Sequence, residues 1–482
     1  MTDKSSIPYS VRKAAILRNS EDMAQSRANW RKRSAFFHRE DDTYLRFMIP
    51  EGASVAMIGC GIGDTLAMLK PSRGVGIDFS PAMIEIARTR HPELSFHVGD
   101  VEDPEAIAAL GGPFEYVLIV DTIGDIDDCQ KCLEQLHSLF IRETRLVIAY
   151  FSHLWYPILR LAERLKWRMP HPSQNVLSPA DIRAIAELSD FDPVKTEQRL
   201  LAPVGLFGIG RFVNRFISIL PFFRAFALRH YVVSRSKRVG WDDVKSATVV
   251  IPARNEKGNI EPAVRRLPQF CDDIEIIFIE GHSQDGTFDE MERVKIAYPE
   301  KDIKCLKQPG KGKADAVFTA YDVARGDVLM ILDADLTMPP EQLSKFWVAI
   351  HSGKGEFVNG SRLVYPMEDE AMRFLNLIAN RMFSYLFSWL LNQRYTDTLC
   401  GTKVMRRTDY LKLKAGRSYF GDFDPFGDFD LIFGAAKQNL KMIETPIHYK
   451  ARSFGETQIS RFRDGWLLLK MVWFAYRKLK AI

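Results

Sequence analysis

Asp333 and Asp335 stand one residue apart at the end of the apolar run Val328-Leu329-Met330-Ile331-Leu332. Two carboxylates so placed repel one another unless a cation lies between them, and hard oxygen ligands suit Mg2+ or Mn2+. A divalent ion there bridges a diphosphate and steadies the charge on a departing nucleoside diphosphate. Alone, an Asp-x-Asp reads as a solvated turn, but three other turns precede it in order. The strand-like Thr248-Val249-Val250-Ile251 runs into Pro252-Ala253-Arg254-Asn255-Glu256. That arrangement puts Pro252, Asn255 and Glu256 at the C-terminal edge of a sheet, where open α/β folds bind nucleotides. The next apolar run ends at Glu280-Gly281 and continues through Ser283-Gln284-Asp285-Gly286-Thr287. An Asp-Gly-Thr of this kind caps a helix whose first amides favour anions. Gln308-Pro309-Gly310-Lys311-Gly312-Lys313-Ala314 then offers Lys311 and Lys313 in a glycine turn suited to a pyrophosphate.

This order resembles the family 2 glycosyltransferases over about residues 246–460. Gly360-Ser361-Arg362, Arg373 with Asn380, Asp397 to Met405 and Ala451 to Thr457 are similar to motifs of the dolichyl-phosphate mannosyltransferase branch. The resemblance implies a GT-A type nucleotide-diphospho-sugar transferase fold and a UDP- or GDP-linked sugar donor held around Ala334. It also implies metal on Asp333 and Asp335, an acceptor phosphate met by Arg362, Arg373 and Lys403, and Arg452 closing over the phosphates. Two positions depart from the branch. Thr337 stands where a Gln is usual as a further metal ligand, and Gly281-His282 replace the second carboxylate after Glu280. A polyprenyl phosphate acceptor is already an anion, so attack on the anomeric carbon needs placement and charge neutralisation but no general base. A glycan hydroxyl would need a carboxylate to take its proton, for which Asp428 and Asp430 are the candidates, Asp428 being equally a helix cap.

In the first half, Val55-Ala56-Met57-Ile58 runs into Gly59-Cys60-Gly61-Ile62-Gly63. Glycines let a chain turn tightly and let a ligand approach the backbone. Asp78 ends the next apolar run, where a carboxylate accepts both hydroxyls of a ribose, and Asp100 ends the third. The series resembles the class I S-adenosylmethionine-dependent methyltransferases over about residues 30–200, including Gly76 to Arg90. It implies a Rossmann-like fold with S-adenosyl-L-methionine as cofactor. Met57 stands where the family usually carries an acid for the methionine amino group, and Asp121, ending the fourth run, is the candidate to compensate. The competing reading makes this half a scaffold without turnover.

Short apolar runs alternating with helix-like segments in both halves predict α/β architecture with largely parallel sheets. At 482 residues two domains are expected. Residues 1–47 read as a helical extension, 48–238 as the first domain and 240–482 as the second, with Ser234 to Arg238 as a basic linker. A net charge of +5 is too mild for a nucleic-acid binder. Six scattered cysteines, with the single Cys129-x-x-Cys132 pair unmatched at zinc-site spacing, suit a reducing cytoplasm. Leu206 to His230 and Arg373 to Leu391 are apolar but punctuated by cations. They predict contact with a membrane surface, on its inner face, rather than a crossing of it.

Overall fold

The computed structural model describes residues 9–241, 244–365, 374–419, 428–450, 452, 454 and 461–482, without the side chains of 374–380 and 461–465. Arg373 of the expected acceptor set therefore lies outside the described residues. The chain divides into two compact units, one of residues 1–240 with 481–482, the other of residues 241–480.

The first unit is built on seven strands: β1 (Ser54–Ile58), β2 (Arg73–Asp78), β3 (Ser95–Val98), β4 (Tyr116–Val120), β5 (Arg145–Phe151), β6 (Phe191–Arg199) and β7 (Arg229–Ser236). Their order is β3-β2-β1-β4-β5-β7-β6. The first five are parallel, and β7 runs antiparallel between β5 and β6. Because helices cover both faces, alternate residues of one strand feed two different cores. Ala56, Ile58, Ile119 and Ile148 pack on one side. Val55, Met57, Leu118 and Val147 pack on the other. The chain leaves β1 in opposite directions toward β2 and β4, which opens a crevice at their C-terminal ends.

One sequence expectation changes here. Ser234 to Ser236, expected in a linker, belong to β7, whose eight residues are all buried. Polar and charged residues do not usually fill a central strand. Here Arg235 is held by Asp192 at 2.8 Å and Arg229 by Asp41 at 2.9 Å, so the charges are paired. Leu206 to His230 is not one helix. It breaks into short turns (Leu206–Gly208, Ile209–Phe212, Val213–Ile217, Phe223–Phe226) before β7 begins. Gly208 at φ +98°, and Pro221, prevent a continuous helix.

The second unit also has seven strands: β8 (Ser246–Ala253), β9 (Asp273–Glu280), β10 (Asp302–Lys307), β11 (Val328–Ile331), β12 (Phe357–Ser361), β13 (Lys403–Arg406) and β14 (Met442–Pro446). Their order is β10-β9-β8-β11-β13-β12-β14. β8 to β11 are parallel, whereas β13 is antiparallel to both β11 and β12. The reversal of direction beside β8 gathers the ends of β8, β9 and β11, and these are the turns singled out above.

Candidate functional sites

In the second unit the turns are stitched together by backbone amides. The Asn255 amide donates to Ser283 Oγ at 3.0 Å, and the Gln284 amide returns a bond to Asn255 Oδ1 at 2.9 Å. Asn255 sits at φ +55°, a left-handed conformation that Asn tolerates better than most residues. The Glu256 amide donates to Thr287 Oγ1 at 3.1 Å and the Lys257 amide to Asp285 Oδ2 at 3.2 Å. Asp285 also receives the amide and hydroxyl of Thr287. Burial pushes its carboxyl up, but these donors outweigh burial and hold it below the ordinary value. Glu280 accepts the Ser283 amide and is buried. Pro252 is half-buried at the end of β8, and Lys311 stands exposed before the helix Gly312–Val323.

Both carboxylates after β11 are paired with cations from elsewhere. Lys313 Nζ lies 2.6 Å from Asp333 Oδ1. Burial opposes the Asp333 charge, but Lys313, with Lys403 and Arg362 farther off, outweighs it and depresses the carboxyl. Burial likewise opposes the Lys313 charge, and Asp333 and Asp428 reverse that and raise its pKa. Gly401 presses against this pair, since a Cβ there would sit 1.8 Å from Asp333 Oδ2. Asp335 Oδ2 meets Arg452 Nη2 at 2.8 Å, while Arg452 Nη1 reaches Glu256 Oε1 at 3.0 Å. One guanidinium thus ties the first turn to the last. Burial, ahead of its partners Asn259 and Arg452, raises the Glu256 carboxyl. Thr337, expected as a metal ligand, donates its hydroxyl to Asp335 Oδ1 at 2.8 Å. Ala334 between the two acids is buried in the core.

Other expected residues are placed less directly. Arg362 is spent on Asp397, which takes Nε and Nη2 at 2.7 Å each in a bidentate pair. Lys403 is buried and donates to the Cys400 carbonyl at 2.5 Å, with Asp428 at 3.6 Å. Asp428 also lies 3.9 Å from Lys313, and its buried Oδ1 has no hydrogen-bond partner. Asp430 instead faces Arg417 at 3.3 Å, away from that cluster. Among the described residues no three or more His, Cys, Asp or Glu side chains gather as a metal site.

The first unit holds a cavity of about 1000 Å3 at the C-terminal ends of β1 to β4. Gly59, Gly61 and Gly63 all have positive φ. A Cβ at Gly59 would lie 2.0 Å from Thr122 Oγ1, whereas one at Gly61 would meet nothing within 4 Å, so Gly61 faces open space. Asp78 accepts the amides of Gly61 at 2.8 Å and Ser80 at 3.0 Å. Burial exceeds both effects and raises its carboxyl. Asp100 is held by Lys13 at 2.5 Å, and Asp121 by Arg229. The helices before β1 supply Lys13, Arg27, Trp30, His38 and Asp41 to the cavity wall, so this stretch is part of the site and not an appendage. No motif marks Arg229 or Asp41. Arg229 shows only as a charge within an apolar run, and Asp41 is one acid in the charged stretch His38 to Asp42.

Comparison with known proteins agrees with this division. Residues 248–413 match the family described as Glycosyl transferase family 2, and residues 30–196 match a Methyltransferase domain. The dolichol-phosphate mannosyltransferase of Pyrococcus furiosus is 34% identical over 119 residues, 24% of this chain and 33% of that protein. The polyprenol monophosphomannose synthase of Mycolicibacterium smegmatis is 26% identical over 44% of this chain and 80% of that protein. The chain spans 33%, 40% and 52% of the length of the first three curated relatives it matches. Among solved structures, a SAM-dependent methyltransferase of Thermotoga maritima is 18% identical, covering 46% of this chain and 99% of its own, at a TM-score of 0.36. The chain joins a methyltransferase-family domain, residues 30–196, to a glycosyl transferase family 2 domain, residues 248–413.

Proposed function

We propose that the second unit transfers a sugar from a UDP- or GDP-linked donor to a polyprenyl phosphate, and that the first methylates an acceptor with S-adenosylmethionine. One observation carries the glycosyl transfer. Four separate turns converge through amide bonds and the Glu256–Arg452–Asp335 bridge on one edge of the sheet, with Lys313 against Asp333 beside it. The Pyrococcus and Mycolicibacterium relatives, named for dolichol phosphate and polyprenol phosphate, support the acceptor class.

In the transfer, a phosphate oxygen of the acceptor forms a bond to the anomeric carbon from the side opposite the leaving group. The bond from that carbon to the nucleoside diphosphate breaks, and the leaving oxygen takes the electron pair, so the anomeric centre inverts. Lys313 and Arg452 are placed to neutralise the diphosphate once it displaces their carboxylate partners. The donor set fits Mg2+ or Mn2+: Asp335 and Asp333 supply hard oxygens and Thr337 orients Asp335, leaving other positions to phosphate and water. Such an ion would supply charge stabilisation for the leaving diphosphate. Mn2+ titration followed by electron paramagnetic resonance tests its binding apart from turnover.

No helix among the described residues is long and apolar enough to cross a membrane. Exposed Met382, Tyr385, Trp466, Leu469 and Trp473 give the second unit apolar surface suited to the membrane where such a lipid resides, which supports a peripheral position on the cytoplasmic membrane face. A labelled donor screen with short-chain polyprenyl phosphate tests the reading. Labelled lipid product is expected, lost by about a hundredfold in Asp335→Ala. No lipid-linked product with any UDP or GDP donor sinks it. A hydroxyl acceptor is the second reading, favoured by the buried Asp428 Oδ1, which accepts no hydrogen bond and has Lys403 at 3.6 Å and Lys313 at 3.9 Å. Product on a free oligosaccharide, abolished by Asp428→Asn, would establish that alternative.

For the first unit, the glycine turn and Asp78 fit S-adenosylmethionine, with Gly61 facing the cavity and the Asp78 carboxylate fixed by two amides. The cofactor supplies an electrophilic methyl group. Asp78 orients the ribose, and the apolar wall excludes water. Calorimetric titration with S-adenosylmethionine tests this, since absence of both heat and thermal shift leaves only a scaffold.

A further inference from the structure

The cavity of the first unit is larger than its cofactor motif explains, and its two ends differ in chemistry. One end carries Gly61, Asp78 and Asp100. The other is walled by Trp30, Phe37, Phe151, Trp155 and Leu159. At the mouth stand Ile158, Trp167 and Val204, which line the cavity yet are 53%, 73% and 52% exposed. Both segments that form the mouth continue outward as bare apolar surface: Leu161 and Leu165 on one, Leu206, Phe207, Ile209 and Phe212 on the other. Soluble proteins seldom expose so much contiguous apolar area without a partner.

The charges around it have one sign. Residues 200–228 contain no Asp or Glu, and Arg211 and Arg215 are exposed among the apolar side chains. On the other segment Arg164 and Lys166 are exposed, while the single acid, Glu163, is buried between Arg160 and Arg168. Inside the cavity, Arg27 donates to Met169 Sδ at 3.5 Å; among the described residues no carboxylate lies within ion-pair distance, and Asp121, Asp78 and Asp125 act on it from farther off. Burial lowers its pKa, so a ligand anion would favour its charged state. His171 also lines the cavity with a buried Nδ1 that has no partner. An apolar channel with a cation outside any ion pair inside it and a cationic, aromatic rim outside is complementary to one kind of molecule. That molecule has a long apolar tail and an anionic head and lies in an anionic lipid surface.

We propose that the first unit draws its methyl acceptor, a long-chain amphiphile with an anionic head, from an anionic lipid surface through this mouth. The inference rests on the methyltransferase reading and narrows it from an unspecified acceptor to a lipid. The rim lies in the interface with Phe207 and Trp167 inserted, and the tail follows the Trp30–Trp155 wall while the head stays near Arg27.

Two measurements on the full chain test it. In the first, sedimentation with vesicles of phosphatidylcholine, with and without phosphatidylglycerol, is compared for the natural protein and Leu161→Ser/Phe207→Ser. Binding is expected only with phosphatidylglycerol, and weaker by about tenfold or more in the variant. Equal partition of variant and natural protein overturns the proposal and makes the rim a contact for another protein. In the second, dodecyl phosphate is titrated calorimetrically with S-adenosylmethionine present, with inorganic phosphate as the control. Val204→Glu is expected to remove one equivalent of dodecyl phosphate binding, whatever the second unit binds. Unaltered stoichiometry in Val204→Glu, with S-adenosylmethionine still bound, refutes the lipid acceptor alone. Failure of S-adenosylmethionine to bind the natural protein refutes the methyltransferase reading beneath it.

Discussion

Replacing Asp125 by Asn pits the stability of the first unit against its chemistry. Asp125 follows the turn Thr122–Gly124, lines the cavity, and accepts a hydrogen bond from Gln174 Nε2 at 3.0 Å. Burial raises its carboxyl from the ordinary 3.8 to about 6, despite Gln174, Arg12 and Arg27, and with Asp121 adding to the rise. Tyr150 packs nearby and feels the same negative charge. The folded state therefore binds this proton more tightly than the unfolded chain. The stability it contributes is fully present below pH 3.8 and is lost as pH rises through about 6. At about 1.36 kcal/mol per unit, the ionised carboxylate costs on the order of 3 kcal/mol at neutral pH, an upper figure because cavity water screens it.

Asn keeps the acceptor for Gln174 and removes the charge. The first unit of Asp125→Asn is expected to melt roughly 6–12 °C higher near neutral pH, and with no gain below pH 4. Its transition is identified by its shift with S-adenosylmethionine. A costly carboxylate retained at a cavity wall is the usual mark of a working group. Asp125 is suited to take the proton that a hydroxyl or amine releases as it attacks the methyl carbon, because its pKa stands near operating pH. Methyl transfer from labelled S-adenosylmethionine to membrane lipid extract should fall by about a hundredfold or more in the variant. The natural protein's rate should rise with pH through about 6. If the variant melts with the natural protein near neutral pH, the carboxylate is solvated and the argument from burial fails. If its methylation and pH profile are unchanged, another group takes the proton.

Asp41→Ala removes one of the two carboxylates on the buried Arg229, held at 2.9 and 3.0 Å, and leaves Asp121 as the other; it should destabilise the first unit by about 1–3 kcal/mol in denaturant titration. Gly401→Ala forces a methyl group onto Asp333 and should cut glycosyl transfer by about a hundredfold while circular dichroism stays native. Arg452→Lys loses the fork that joins Glu256 to Asp335. Donor KM is expected to rise about tenfold or more, with a smaller change in kcat.

The strands that carry the motifs were legible because β-branched runs between turn residues leave few other options. β1 to β5 and β8 to β12 coincide with such runs. β7 was hidden by its composition, since Ser-Arg-Ser reads as solvent-facing until Asp192 and Asp41 are known to meet its arginines. β13 (Lys-Val-Met-Arg) and β14 (Met-Ile-Glu-Thr-Pro) were hidden because charged residues or a proline leave each only two consecutive apolar residues. The glycine turns and Asp-x-Asp showed in sequence because their spacing is local. Arg452 with Asp335, 117 positions apart, and Arg229 with Asp121, 108 apart, are set only by tertiary packing. For the same reason the resemblance assigned Arg362 to an acceptor phosphate while the structure gives its fork to Asp397.

The pairings in the second unit also bear on how a donor enters. Lys313 is paired with Asp333, and Arg452 is shared between Asp335 and Glu256, so both acids of the Asp-x-Asp and both of these cations are already paired at rest. A diphosphate alone would have to pull Lys313 and Arg452 from their carboxylates and leave two acids bare. A cation alone would have to displace the Lys313 ammonium and the Arg452 guanidinium from the two aspartates. In the proposed reaction, a dianionic diphosphate and a divalent ion entering together would exchange partners with these residues and leave none of the four bare. On that reading, pairing at rest would favour the complete donor over either component, which is discrimination by the cost of unpaired charge.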